Sequence, residues 1–156
     1  MPSLDRWIWV SAPLAYVFSF VADYRNASRY QHQFTRFEPL PGLEYGLGAT
    51  AEARGRFRGF PVRARLKIVE FVEGRRIVTR SIGGMKSSAE WDFLEEKGGT
   101  RVRLLASYEF PVPVPSRTLR KIVESEVASM TESSLRELKR LIEAEHRAIL
   151  KKRQAE

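Results

Sequence analysis

The chain has 156 residues, 43% of them hydrophobic and 29% charged, and 27 Lys and Arg against 19 Asp and Glu give a formal net charge of +8. That length and balance are those of one soluble globular domain, spanning residues 1–156, with enough chain to bury a real core. The absence of cysteine excludes disulfides, thiolate zinc sites and a cysteine nucleophile, and two histidines, His32 and His146, are too few for a multi-histidine metal centre.

Asp5 and Arg6 stand ahead of any apolar run, so no signal peptide is expected. Residues 6–11 (RWIWVS) are aromatic and β-branched and predict a strand. Ser11 fits a helix N-cap with Pro13 in the first turn, and Leu14, Val17, Phe18 and Val21 follow at the three- and four-residue steps of a short buried helix. This is also the longest apolar stretch, far short of the about 20 residues a membrane span needs, so a cytoplasmic protein is expected. Asp23 can end that helix and cap a second short one reaching Tyr30. Phe34 to Leu40 predicts a strand stopped by Pro41-Gly42, and the glycines at 42, 46 and 48 predict a loop.

Four more strands follow with clear turn signals between them: 50–58, 62–71, 75–82 and 86–95, and then a fifth, 100–110. Gly59-Phe60-Pro61, Glu73-Gly74, Gly83-Gly84 and Lys97-Gly98-Gly99 separate them, the pattern of an antiparallel sheet. Alternation assigns the faces. Val62, Ala64, Leu66 and Ile68 oppose Arg63, Arg65 and Lys67; Ser87, Ala89, Trp91 and Phe93 oppose Ser88, Glu90 and Asp92; Val102, Leu104, Ala106 and Tyr108 oppose Arg101 and Arg103. The parity slips near Val69-Glu70-Phe71, which predicts a bulge.

After Pro111-Val112-Pro113-Val114-Pro115, one amphipathic helix is predicted from Ser116 to about Lys151, with 151–156 as a frayed tail. Its apolar residues (Leu119, Ile122, Val123, Val127, Met130, Leu135, Leu138, Leu141, Ile142) must cover the sheet. The expected fold is α+β: a seven-stranded antiparallel curved sheet wrapped around a long C-terminal helix, with two short helices after the first strand.

At this point the chain resembles the START/polyketide-cyclase superfamily, also called SRPBCC, helix-grip or Bet v 1-like. The element order matches over nearly the whole length. The local likeness lies in Val10-Ser11-Ala12-Pro13-Leu14-Ala15-Tyr16-Val17, in Val21-Ala22-Asp23-Tyr24 followed by Tyr30, and in the loop Gly46-Leu47-Gly48-Ala49. The resemblance implies a cavity between sheet and helix for lipids, polyketides or quinone-like molecules. Three functions are compatible with it: a non-catalytic binder or carrier of a hydrophobic small molecule; an aromatase/cyclase-type enzyme acting on polyketides; and a quinone or lipid chaperone that touches membranes.

The covered faces fit a cavity. Ala51, Ala53, Gly55, Ala64, Ser87, Ala89 and Ala106 are small, and Ser125, Ser129 and Ser133 form a stripe on the helix, while Phe57, Trp91, Tyr108 and Met130 act as spacers. Small residues either let backbones approach or leave a void. The expected ligand-binding residues are Tyr30, Phe34, Phe57, Leu66, Ile68, Ser87, Ala89, Trp91, Leu104, Ala106, Tyr108, Val123, Val127 and Met130, in a pocket of about 300 Å³ or more. Tyr24 and His32 fall near its expected mouth. The first half of the helix, 119–130, is expected to wall the cavity, and the second half, 135–142, to close the core against Trp7, Trp9 and the first helix.

No Ser–His–Asp spacing, HExxH, CxxC or phosphate-cradling loop is present, and no catalytic residue, metal or cofactor is assigned. Between Arg54 and Arg80, nine basic residues face only Glu70 and Glu73. Arg54, Arg56, Arg58, Arg63, Arg65 and Lys67 are expected to point outward, away from the cavity. They form either a solvated face or a docking face for an anionic surface. Nucleic acid is disfavoured because no aromatics are interleaved on that face.

Overall fold

The computed structural model of the chain describes residues 1–110 and 113–156; the predicted linker positions Pro111 and Val112 lie outside the described residues. Strand β1 (Ser3–Val10) is followed by helix α1 (Leu14–Ala22), a 3₁₀ turn (Tyr24–Asn26) and helix α2 (Ala27–Tyr30). Strands β2 (Phe34–Pro39), β3 (Thr50–Phe57), β4 (Phe60–Val72), β5 (Arg76–Gly84), β6 (Ser87–Glu96) and β7 (Gly99–Tyr108) come next, and helix α3 (Arg117–Ala155) ends the chain. The seven strands form one sheet in the order β1-β7-β6-β5-β4-β3-β2, with every neighbour antiparallel. The short helices therefore carry the chain from one edge of the sheet to the other. The strands then return by consecutive hairpins.

Local sequence explains most boundaries. Ser116 caps α3: its hydroxyl accepts a hydrogen bond from the Leu119 N–H at 3.1 Å. The Asp23 carboxylate accepts from the Arg25 N–H at 3.0 Å and so starts the 3₁₀ turn. Ser11 is not the cap of α1. Pro13 holds that position, with φ fixed at −61° and no side-chain acceptor, and the Ser11 N–H is bound elsewhere. The β3–β4 and β6–β7 connections are two-residue turns, Arg58-Gly59 and Lys97-Gly98, with positive φ at both positions as a type I′ turn requires. Phe60 and Pro61, expected in the first of these turns, are the opening residues of β4. The predicted bulge is present between Ile68 and Glu70, and a second shift occurs between Arg65 and Leu66. Helix α3 continues through 151–155, the residues expected to fray, and these are exposed.

The main core lies where α1 and the second half of α3 cover the sheet. Val10, Val17, Phe18, Val102, Leu138 and Ile142 are fully buried there, and the Phe18 ring meets Phe71 and Phe93 edge-on at 5.3 and 5.1 Å. Trp7 and Trp9 do not join it. Strand parity turns both outward: Trp7 is 56% exposed under the Arg101 guanidinium, and Trp9 lies against Gly99 and donates its indole N–H to the Glu96 carbonyl at 2.8 Å. A separate small cluster joins Phe57 to Val123, flanked by Val62, Phe110 and Leu119.

β1 is one edge of the sheet, and α3 runs beside it. Lys139 Nζ donates to the Trp9 carbonyl at 2.7 Å and Glu143 Oε2 accepts from the Ser11 N–H at 2.8 Å, while the two side chains pair with each other at 2.9 Å.

Candidate ligand cavity

Strand register builds the site. On the concave face, Leu4, Ala106, Ala89, Thr79 and Ile68 form one lateral row across β1, β7, β6, β5 and β4. Its three central members are small. The next row, Ile77, Trp91 and Leu104, is large, and on the other side Ser87 faces Tyr108. Small residues between taller rows leave a trough that a helix laid across the sheet cannot fill.

The roof of the trough is α3, through Val127, Met130, Thr131, Ser134 and Leu135, and its side is the segment from Val21 to Phe37. The cavity, open on one side, measures about 240 Å³, somewhat below the expected size. It lies between the main core and the Phe57–Val123 cluster. Tyr30 stands edge-on to Trp91 at 6.5 Å and tilted against Phe20 at 6.3 Å, which holds one wall.

Thirteen of the fourteen residues expected from the sequence border this space; Val123 does not. It is fully buried against Phe57, where it closes one end. The small residues divide between the two roles open to them. Ala89, Ala106 and Ser87 face the void. Ala51, Ala53 and Ala64 are packed and do not border it. Gly55 permits a close approach: a Cβ there would fall 2.4 Å from the Gln33 carbonyl oxygen.

The serine stripe does not wall the cavity. Ser125, Ser129 and Ser133 are exposed; the buried serine is Ser134, one step of about 100° around the helix. Ser134 and Thr131 were legible as four-residue steps from Met130 and Val127, and Thr79 as the β5 member of the covered face. Ile122 also turns outward, at 44% exposure. The expected two-part helix thus has three parts: Leu119 and Val123 close an end, Val127 to Leu135 form the roof, and Leu138 and Ile142 enter the core.

Among the described residues, no Asp, Glu, His or Lys borders the cavity; the polar residues that do are Ser, Thr, Tyr and Gln, with Arg56 the one charged residue. Burial pushes the Tyr30 phenol up to about 12, with the Gln31 side chain acting weakly in the other direction. Burial also raises Tyr24, whose hydroxyl donates to the Ala49 carbonyl at 3.4 Å, and raises Tyr108, where the Glu124 carboxylate adds to the effect. These phenols stay protonated at neutral pH. Tyr30 and Tyr108 can donate hydrogen bonds to a guest, the Tyr24 proton being directed at Ala49, and all three are poor bases.

Outside the cavity a shallow groove shares Tyr30, Gln33, Arg56, Phe57, Met130 and Ser134 with it and adds His32, Arg58, Glu126, Ser129 and Ser133. This places the mouth between the 30–33 segment, the β3–β4 hairpin and the middle of α3. Ser134 Oγ meets Gln33 Oε1 at 3.4 Å across it, and the Arg58 guanidinium binds the Glu126 carboxylate at its rim, with Nε to Oε2 at 3.0 Å. His32 hydrogen-bonds the Arg29 carbonyl, and His146 packs on the Tyr16 ring.

The six outward cations are not alike. Arg54 and Arg65 share Glu52, Arg58 pairs with Glu126, and Arg63, Arg65 and Lys67 are exposed. Arg56 and Arg58 depart from the expectation: both border the groove at the mouth, and Arg56 also borders the cavity. β2 pairing ends opposite Gly55, so the edge of β3 beyond it is open.

A curved antiparallel sheet closed over an apolar cavity by a long C-terminal helix defines a helix-grip protein of the START/SRPBCC superfamily. The chain belongs to the family described as polyketide cyclase / dehydrase and lipid transport, whose model matches residues 1–143. Among solved structures it is similar to TTHA0849 from Thermus thermophilus, at 25% identity over 92% of this chain and 98% of that one, with a TM-score of 0.80. Ms6760 from Mycobacterium smegmatis (16% identity, 92% of each chain, TM-score 0.67) and major latex-like protein 151 from Panax ginseng (15%, 93% of this chain and 97% of that one, TM-score 0.63) share the fold. No curated protein matches the sequence. No helix among the described residues is long and apolar enough to cross a membrane.

Proposed function

We propose that this protein binds and carries a hydrophobic small molecule, of lipid, polyketide or quinone type, in the cavity under α3. The observation that carries this reading is the row Thr79, Ala89 and Ala106, whose register leaves an apolar void of about 240 Å³ in an interior that is otherwise close-packed. The family's description, which includes lipid transport, supports it. The aromatase/cyclase alternative asks for an acid or base at the cavity. The wall instead offers three protonated tyrosines and an arginine, which suits holding a guest better than moving a proton. Native mass spectrometry of the protein as expressed tests the reading: a lipid-sized adduct that leaves on collisional activation is expected. A bare protein mass in every preparation, with no uptake from an added lipid extract, contradicts it.

A further inference from the structure

Resting on that reading, we infer that the guest is an amphiphile with an anionic head, a carboxylate or phosphate ester, held at the mouth by Arg56. The cavity is apolar over most of its wall, and Arg56 is its one charged residue among those described. The hairpin bears three arginines on alternate positions. Arg54 is occupied by Glu52 and Arg58 by Glu126; Arg56 has no carboxylate within 4 Å among the described residues, and its guanidinium makes one long hydrogen bond, 3.3 Å, from Nη1 to the Gly59 carbonyl. A guanidinium carries five donors in a planar fork matched to carboxylate and phosphate oxygens, so most of its binding capacity is free.

Its position sorts a guest by polarity. Arg56 borders both the cavity and the groove outside it, which places a bound head group in solvent contact while the tail lies between the sheet and α3. Neutral donors sit around it. Gln33 accepts from Ser134 through Oε1, which leaves its amide N–H groups available, and the Tyr30 phenol is protonated. Among the described residues, the one carboxylate on the groove, Glu126, is engaged by Arg58. A cationic head group would meet Arg56 with no free counter-charge, and a neutral one would leave the fork unused.

Isothermal titration calorimetry with three ten-carbon probes tests this: decanoate, monodecyl phosphate and decan-1-ol. In the wild type at least one anion is expected to bind about tenfold more tightly than the alcohol, the anion with the larger gain marking the head group. Arg56→Gln is expected to erase that gain, so that the anions bind no more tightly than the alcohol. Arg63→Gln, which removes the same charge from the outer face, is expected to keep it, separating local anchoring from the general attraction of a +8 chain. Equal affinity for alcohol and both anions, or equal losses in the two variants, overturns the anchor while leaving the cavity reading in place. Failure of all three probes to bind overturns both.

Discussion

At the scale of single residues, the void is held open by two methyl groups. Ala89 and Ala106 face each other across β6 and β7, so enlarging either one fills the trough from below. Ala89→Leu is expected to stabilise the ligand-free protein by about 1 kcal/mol while eliminating adduct formation, because it buries apolar surface in a space without packing partners. Urea denaturation and native mass spectrometry together check this; loss of stability with retained adduct would show that the guest lies elsewhere. Tyr30 gives a pH signature. Its phenol titrates near 10 when unfolded and about 12 when folded, so the folded state keeps its proton longer. The stabilisation is fully present below pH 10 and is lost as pH rises to 12, by about 3 kcal/mol. Tyr30→Phe is expected to flatten this alkaline decline, measured as the difference in unfolding free energy between pH 9 and pH 11.

At the scale of elements, the outer face carries like charges in register. Arg36 lies opposite Arg54, Arg54 opposite Arg63, and Lys67 opposite Arg80. Directly opposed like charges destabilise a sheet by tenths of a kcal/mol each. Arg63→Glu is therefore expected to raise stability by about 0.5 kcal/mol at low salt. The wild type should gain and the difference should shrink when sodium chloride is raised to about 0.3 M, because screening removes the repulsion. Urea midpoints at the two salt concentrations check both. The strands themselves were legible because period-two alternation is a local property, and the bulge near Val69 could be read in the same way. What could not be read was lateral neighbourhood. The chain shows that Ala89 and Ala106 are small, but only register brings Thr79 beside them. On α3 the serines at 125, 129 and 133 share a helical face as cleanly as Val127, Met130, Thr131 and Ser134 do. Which face turns inward depends on how the whole helix rolls against the sheet. Alternation places Arg56 on the outward face and its pairing with Pro61 of β4 keeps it there; what the chain does not show is that β2 pairing stops at Gly55 and leaves this end of β3 as the rim of the mouth.

At the scale of the whole molecule, the excursion through α1 and α2 places β1 and β2 at opposite edges of the sheet and leaves the mouth beside β2. The cavity end and the packed end are thus separate. The core around Phe18, Leu138 and Ile142 can hold the fold while the space beneath Val127 to Leu135 stays empty. The contacts of Lys139 and Glu143 with β1 have a further meaning in this frame. An edge strand with free carbonyl and amide groups is a template on which another chain can add. At the end of β1 the Trp9 carbonyl and, just beyond it, the Ser11 amide are already engaged by a helical ammonium and carboxylate, which stand where an eighth strand would bond. A chain with an open, lipophilic interior runs a high risk of self-association when its sheet loosens. The same helix that roofs the cavity thus also covers one end of this edge, where a strand from another chain would otherwise bond.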